Sequence, residues 1–309
     1  IMLDKMREGK KIRIISDYDV DGVTSNYILY KGLLKVYKKV SREIQEDRRN
    51  QENSEGLESH QDHENRKNRI VPYIDYDIPH RITDGYGINV RMVDKAYAEG
   101  IDTIITCDNG IAAFSAVERA KELGMTIIVT DHHDVPYDIV PDTDVEPGNT
   151  ANSGNTANSD DTTKSYNTTN SGGTTRKYKI VPADAVIDHK QPDCQYPCKE
   201  LCGAGVAFKF IQLLFRMSGI PEKEVMEYIE YLGIATVCDV MNLVDENRGF
   251  VKLALKRLRH SSNKGLAALI RNSGIADRIS SFHLGFIIGP CINAAGRLDD
   301  ARTSLEFLL

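Results

Sequence analysis

Four short apolar runs, each closing on an acidic or turn residue, punctuate the chain: KIRIIS at 11–16, IVPYID at 70–75, TIITCD at 103–108 and TIIVTD at 126–131. Runs this short and this continuously apolar fit strands that are buried on both faces. Between them the apolar spacing changes to a helical period. Helices are expected over roughly 23–40, 89–99 and 111–123, the last carrying Ala113, Ala116, Val117, Ala120 and Leu123 on one face. Strand and helix alternate, which predicts an α/β fold built on a doubly wound, mainly parallel sheet with flanking helices. From GAGVAFKFIQLLFRMSG at 203 onward the pattern is mainly helical, so 203–309 reads as helices extending the same domain.

Two stretches break the pattern. Residues 41–69, SREIQEDRRNQENSEGLESHQDHENRKNR, are dense in charge and nearly free of apolar residues, so burial cannot offset their ordering entropy. Residues 147–177 hold the imperfect repeat GNTANSGNTANS and further Thr, Ser, Asn and Gly, the composition of a flexible linker. Both are expected to be disordered surface insertions in a single domain spanning 1–309. His60 and His63 lie in the first and read as part of a solvated charge run.

The net charge of −6 over 309 residues argues against a broad basic surface for duplex nucleic acid but leaves room for a local groove. No run reaches the length of a membrane span, and the start, IMLDKMREGKKIRI, lacks an apolar leader with a small-residue cleavage site. A cytoplasmic protein with no membrane partner is expected. The six cysteines do not suggest a disulfide framework. Cys194, Cys198 and Cys202, spaced by four on a turn-rich loop, read as incidental free thiols.

Candidate chemistry lies at the strand ends. In a parallel sheet the C-terminal ends share one edge, where ligands bind. The first strand delivers Asp17, Asp19 and Asp21, the third Asp108, and the fourth Asp131, His132 and His133; a later run, YLGIATVCDVMNL, adds Asp239. Crowded carboxylates raise one another's pKa and cannot stay ionised and buried without counter-charge. A pair of divalent cations resolves the repulsion, and carboxylate oxygens with imidazole suit Mn²⁺ first and Mg²⁺ second. The string D-x-D-x-D-G also resembles a calcium loop, but VTSNYILYKG supplies no glutamate at the required place.

Taken in order, DYDVDG, TCDNG, TDHH and ATVCDVMNL resemble the motifs of the DHH phosphoesterase superfamily. Within it, IPHRITDGYGIN at 78–89, YPCKELCGAGVAFK at 196–209 and GPCINAAGRLDDA at 289–301 resemble those of RecJ-type single-stranded-DNA exonucleases. The resemblance implies a two-metal phosphodiesterase that removes nucleotide 5′-monophosphates from single-stranded DNA, 5′ to 3′, in repair and recombination. It implies that Asp19 binds the first metal and Asp21 the second. Asp108 bridges them, His132 and Asp239 complete the second site, and His133 faces the water or the phosphate. Asp17 lies beside the first metal, and Asp131 orients the histidines from behind.

Arg81, Tyr86, Asn293 and Arg297 are the candidates for substrate contacts, guanidinium groups being suited to paired phosphate oxygens. Tyr86 could equally stack on a base or pack. Gly203 and Gly205 read as helix-start packing, since no strand precedes them. A single-strand-binding protein or a helicase would be the expected partner. Two departures stand out: Asp188 and His189 occupy the place of an Asn-Pro pair, and Cys291 that of an arginine. The chain is expected to be the catalytic core of a longer protein, without the DHH-associated and oligonucleotide-binding domains. The alternatives are a DHH-family phosphodiesterase for short oligoribonucleotides or cyclic dinucleotides, and a non-catalytic DNA-binding or replication-scaffold module.

Overall fold

The computed structural model describes residues 1–54, 70–141, 165–170, 174–298 and 300–309. After a short helix α1 (Met2–Arg7), strands β1 (Ile12–Ser16), β2 (Ile74–Asp77), β3 (Thr103–Cys107), β4 (Thr126–Thr130) and β8 (Ala185–Ile187) form one five-stranded sheet in the order β2-β1-β3-β4-β8, every pair parallel. Helix α2 (Val20–Ser54) connects β1 to β2, α3 (Val90–Ala98) connects β2 to β3 and α4 (Phe114–Glu122) connects β3 to β4. The second strand lies on one side of β1 and the third on the other, so the direction of winding reverses between β1 and β3. That reversal opens the crevice in which ligands of doubly wound sheets bind.

Alternation along the strands builds two cores. Ile12, Ile14, Ile105, Cys107 and Ile128 face a large cluster formed with α2 and the C-terminal helices, whereas Ile15, Ile104, Ile127 and Val129 face a smaller one formed with α3 and α4. The C-terminal part comprises α5 (Gly203–Met217), α6 (Ile229–Cys238), α7 (Asp245–Leu258) and α8 (Lys264–Asn272). A short α9 (Ser281–His283) then passes through a π-helical turn, Leu284–Ile288, into α10 (Gly289–Leu298), followed by α11 (Arg302–Leu308). Ile229 to Thr236 of α6 are all buried, Glu230 among them, so this helix is packed on every side. Gly32 lets α2 approach α5: a Cβ there would lie 2.6 Å from Ile211.

Several boundaries differ from the sequence expectation. Residues 41–54, expected to be disordered, continue α2. Glu, Gln, Arg and Lys are good helix formers, and extending a packed helix needs no new nucleus. Residues 55–69, including His60 and His63, lie outside the described residues. In the second expected insertion, β6 (Ser165–Asn170) and β7 (Thr174–Lys179) pair antiparallel with β5 (Tyr137–Pro141) in the order β5-β7-β6, while 142–164 and 171–173 lie outside the described residues. Threonine and tyrosine favour extended backbone even where no apolar run betrays a strand. Strand β2 begins at Ile74 because Pro72 cannot donate to a ladder.

Candidate metal centre

The sharp turn after β1 is built around glycine. Asp19 caps α2, its Oδ1 accepting from the Gly22 amide at 3.0 Å. A Cβ on Gly22 would lie 2.3 Å from the Asp17 carbonyl oxygen. No larger residue fits, and the tight entry brings the carboxylates of Asp17, Asp19 and Asp21 to the winding reversal together. At the end of β3, Asp108 adopts a left-handed backbone (φ 62°), a conformation Asp tolerates better than most residues. Asn109 ties this turn to its neighbours: its amide donates to the carbonyls of Cys107 (2.9 Å) and Ile15 (3.2 Å), and its Oδ1 accepts from the Ile88 amide. The same residue therefore clamps β1, β3 and the loop before α3.

Three groups of ligand atoms converge, each lying within 4.8 Å of its own members: Asp17, Asp19 and Asp108; Asp21, His132 and Asp239; and Asp108, His132 and His133. Asp108 joins the first to the third, and His132 the third to the second. Nε2 of His132 lies 3.0 Å from Asp108 Oδ1, 3.6 Å from Asp21 Oδ2 and 3.7 Å from Asp239 Oδ2. It nonetheless has no hydrogen-bond partner among the described residues, and neither have the buried Asp17 Oδ1 and Asp239 Oδ2. Orphaned buried donors and acceptors facing one another across such distances fit shared cations. Oxygen donors with imidazole and no thiolate fit hard or borderline divalent ions.

The protonation pattern fits as well. Burial, reinforced by Asp19, pushes Asp17 up to about 7, and burial with Asp21 and Asp19 pushes Asp239 up to about 7. Asp19 is raised by burial and by Asp21, and Asp108 is raised well above the carboxylate range by burial and by both neighbours. A metal-free centre at neutral pH thus retains protons that cations would displace.

Asp21 is held from an element remote in sequence. Its Oδ2 accepts from the Gly203 amide at 2.6 Å and its Oδ1 from the Ala204 amide at 2.8 Å, at the N-terminus of α5. A Cβ on Gly203 would sit 2.7 Å from Asp108 Cβ and 2.8 Å from its Oδ1. The helix start inferred from the GAG triplet is present, and its free amides orient one carboxylate while its bare Cα makes room for another. Sequence reasoning missed this role, as it missed that of Asn109.

Asp131 sits behind the histidines. Its Oδ1 lies 2.7 Å from His133 Nδ1 and accepts from the His132 amide, while its Oδ2 accepts from the Ile111 amide. Burial works against both charges. The Asp131 hydrogen bond and charge nevertheless raise the His133 pKa, and the bonds from His133 and the Ile111 and His132 amides keep Asp131 below the usual carboxylate range. Asp131 fixes the ring of His133; it makes no bond to the ring of His132. Tyr86 completes the arrangement, its hydroxyl donating to the Asp108 carbonyl at 2.8 Å and lying 3.0 Å from His133 Nε2. Gly85 and Gly87 on either side have positive φ, which lets the DGYG loop fold over the centre.

Arg81 is exposed, with its guanidinium 5.8 Å from the centroid of the ring of Tyr18, the residue between Asp17 and Asp19 in sequence. Helix α10 runs from the end of α6 to the turn after β1. A Cβ on Gly289 would lie 2.4 Å from Cys238 Sγ and one on Gly296 3.0 Å from the Tyr18 carbonyl oxygen. Asn293 stands between them on the same helical stripe, half-buried. Arg297 belongs to α10, but its side chain lies outside the described residues. Cys194, Cys198 and Cys202 are free thiols and join no group of ligand atoms among the described residues; Cys291 is free and exposed.

Asp239 is the C-cap of α6, and the helix stops in a Schellman motif: the Met241 amide donates to the Thr236 carbonyl and the Val240 amide to the Val237 carbonyl. The left-handed position, normally glycine, is Val240 (φ 55°). A β-branched residue there costs roughly 1–2 kcal/mol.

Asp188, where an asparagine was expected, is buried with Oδ2 unpartnered, and burial pushes its carboxyl up to about 7. The unfolded chain releases this proton near pH 4 and the native chain only near pH 7. Native stability therefore falls as pH rises through that window, by on the order of 4 kcal/mol. Asp188→Asn is expected to raise the melting temperature of the metal-free protein by several degrees at pH 8 and by almost nothing at pH 4. Thermal denaturation in EDTA across that range checks it.

A doubly wound parallel sheet with carboxylates and imidazoles gathered at its winding reversal defines an α/β protein with a divalent-cation centre. The chain belongs to the DHH family, whose N-terminal domain matches residues 11–169. It is 29% identical over 320 residues to the single-stranded-DNA-specific exonuclease RecJ of Escherichia coli, a match covering 100% of this chain and 43% of that protein. The RecJ of Bacillus subtilis is 30% identical over 303 residues, covering 98% of this chain and 28% of that protein. Among solved structures, a crystal structure of exonuclease RecJ bound to manganese superimposes with a TM-score of 0.66 at 26% identity, covering 100% of this chain and 58% of that one. The chain thus spans less than half the length of these two curated relatives. Among the described residues no helix is long and apolar enough to cross a membrane.

Proposed function

We propose that this chain is the catalytic module of a divalent-cation-dependent phosphodiesterase that digests single-stranded DNA from the 5′ end and releases nucleoside 5′-monophosphates. The observation that carries the reading is the pair of donor groups, Asp17–Asp19–Asp108 and Asp21–His132–Asp239, linked through the contact of Asp108 with His132. The curated relatives are named as exonucleases of that specificity, and the RecJ structure cited above was obtained with manganese.

Asp17, Asp19 and Asp108 would hold one cation and Asp21, Asp108, His132 and Asp239 the other, with Mn²⁺ the preferred ion and Mg²⁺ the second choice. When bound, such a pair supplies Lewis acidity at the phosphate and makes water a stronger nucleophile at neutral pH. The remaining work falls to the chain. Helix α5 fixes Asp21 through two amides, so one donor group is rigid before any ligand arrives. Asp131 holds His133 through Nδ1 and raises its pKa, so that Nε2 is aimed toward Tyr86 and is assigned to the phosphate. Arg81, whose guanidinium lies over the Tyr18 ring, is assigned to non-bridging phosphate oxygens. Asn293 and Arg297 of α10 are assigned to the substrate strand. A cytoplasmic location, a role in repair and recombination, and delivery of the strand by a single-strand-binding protein or a helicase accompany this reading.

The test is hydrolysis of a 5′-labelled single strand in Mn²⁺, beside the matching duplex and a two- to four-nucleotide RNA. Labelled mononucleotide from the single strand, at least ten times faster than from the duplex, is expected. Cleavage confined to the shortest RNA would replace the proposal with a small-substrate phosphodiesterase.

A further inference from the structure

The residue after Asp239 is the least economical choice the helix stop permits. A Schellman motif needs a left-handed residue at this point, and glycine adopts that conformation without strain. The chain places valine there, and its side chain is left largely outside the core, Val240 being 87% exposed. It is also the immediate neighbour of Asp239, about 3.8 Å away from Cα to Cα.

The surroundings point to what its isopropyl group meets. Leu243 and Val244, further along the same loop, are exposed as well. The segment leading into α10 packs on the end of α6 through Gly285, near Val237, and Gly289, against Cys238. It exposes Phe286, whose ring stacks on that of Phe282 at 4.9 Å. Exposed apolar groups thus follow Asp239 along the chain and lie on the segment packed against the end of α6, while Arg81 lies over the ring of Tyr18, the residue between Asp17 and Asp19 in sequence. A nucleotide has the same division: an anionic phosphate, which the cation centre and Arg81 suit, and a flat apolar base.

We propose that Val240 is a base-contacting post. Its side chain packs against the nucleobase of the nucleotide whose phosphate lies at the centre, and the backbone strain is tolerated because this contact orients the scissile bond. The proposal rests on the phosphodiesterase reading given above and adds a specificity residue to it.

The test uses this whole chain, Val240→Gly and Val240→Ala, with two substrates: a single-stranded oligodeoxynucleotide, and bis(p-nitrophenyl) phosphate, which carries no base. Glycine removes both the side chain and the strain, whereas alanine shortens the side chain and keeps the strain. The ratio of kcat/KM on the oligonucleotide to that on the ester is expected to fall about tenfold in both variants, mostly through KM. The melting temperature should rise by about 2 °C in the glycine variant and stay within a degree of wild type in the alanine variant. An unchanged ratio would overturn the proposal, as would a lower melting temperature in Val240→Gly, which would mean that the valine packs on the protein. Wild-type protein that cleaves the ester but no oligonucleotide would instead overturn the exonuclease reading on which it rests.

Discussion

Asp108→Asn should abolish hydrolysis and, in the absence of metal, make the protein more stable. Asp108 is the carboxylate that touches both donor groups, and burial with the charges of Asp21 and Asp19 drives its pKa far upward. At pH 8 the native metal-free protein must keep that proton while the unfolded chain releases it, which opposes folding. Asparagine matches the shape, tolerates the left-handed backbone and carries no charge to neutralise. A melting temperature raised by several degrees in EDTA is expected, together with at least a 10³-fold loss of manganese-dependent cleavage. Stabilisation by added Mn²⁺ should be strong in the wild type, about 2.7 kcal/mol at a hundred times Kd, and largely absent in the variant. Calorimetry with and without the ion, beside a cleavage assay, separates these effects. A less stable apo variant would show that Asp108 serves the fold more than the centre.

Gly203→Ala should be nearly as damaging although the residue is no ligand. The added methyl would enter within 2.8 Å of the Asp108 side chain, and the only relief is to move α5 away. Such a movement pulls the Gly203 and Ala204 amides off Asp21. A loss of about 2 kcal/mol in stability and a hundredfold or greater loss of activity are expected, with metal affinity falling in parallel. Gly205→Ala is the matched control. Its methyl would meet Leu201 Cβ at 3.1 Å, a contact relieved by a shift of a few tenths of an ångström that touches neither Asp21 nor Asp108. Its activity should remain within about threefold of wild type. Equal damage from both substitutions would mean that α5 matters through general packing and not through Asp21.

Part of this architecture is legible in the residues. β1, β3 and β4 are buried on both faces, so their apolar runs are continuous and each ends visibly on an acid. That the carboxylates share one edge follows from parallel strands, whereas the winding reversal is read from the strand order itself. Other features leave no such trace. β8 is three residues long, shorter than any reliable pattern, and is defined by pairing with β4. Residues 41–54 lack the apolar stripe of a packed helix because the helix they extend is anchored elsewhere. β6 and β7 alternate polar residues with Thr and Tyr, so composition suggests a linker where pairing makes a ribbon.

At the centre, the acids announce themselves by type and spacing, whereas the groups that hold them do not. The contact between Asp21 and the α5 amides spans more than 180 positions. The clamp of Asn109 on Ile15 spans 94. Both are tertiary facts that no local pattern encodes. The D-N-G string does show that a polar turn ends β3, and the positive φ of Gly110 explains its glycine. The strained valine beside Asp239 is invisible until the helix stop around it is seen.

The most direct test of the central claim is anomalous diffraction at the manganese edge from crystals grown with Mn²⁺. Two peaks are expected in one centre, one among Asp17, Asp19 and Asp108 and the other among Asp21, Asp108, His132 and Asp239. Their absence at saturating Mn²⁺, or a single ion bound away from Asp108, would contradict the two-cation account.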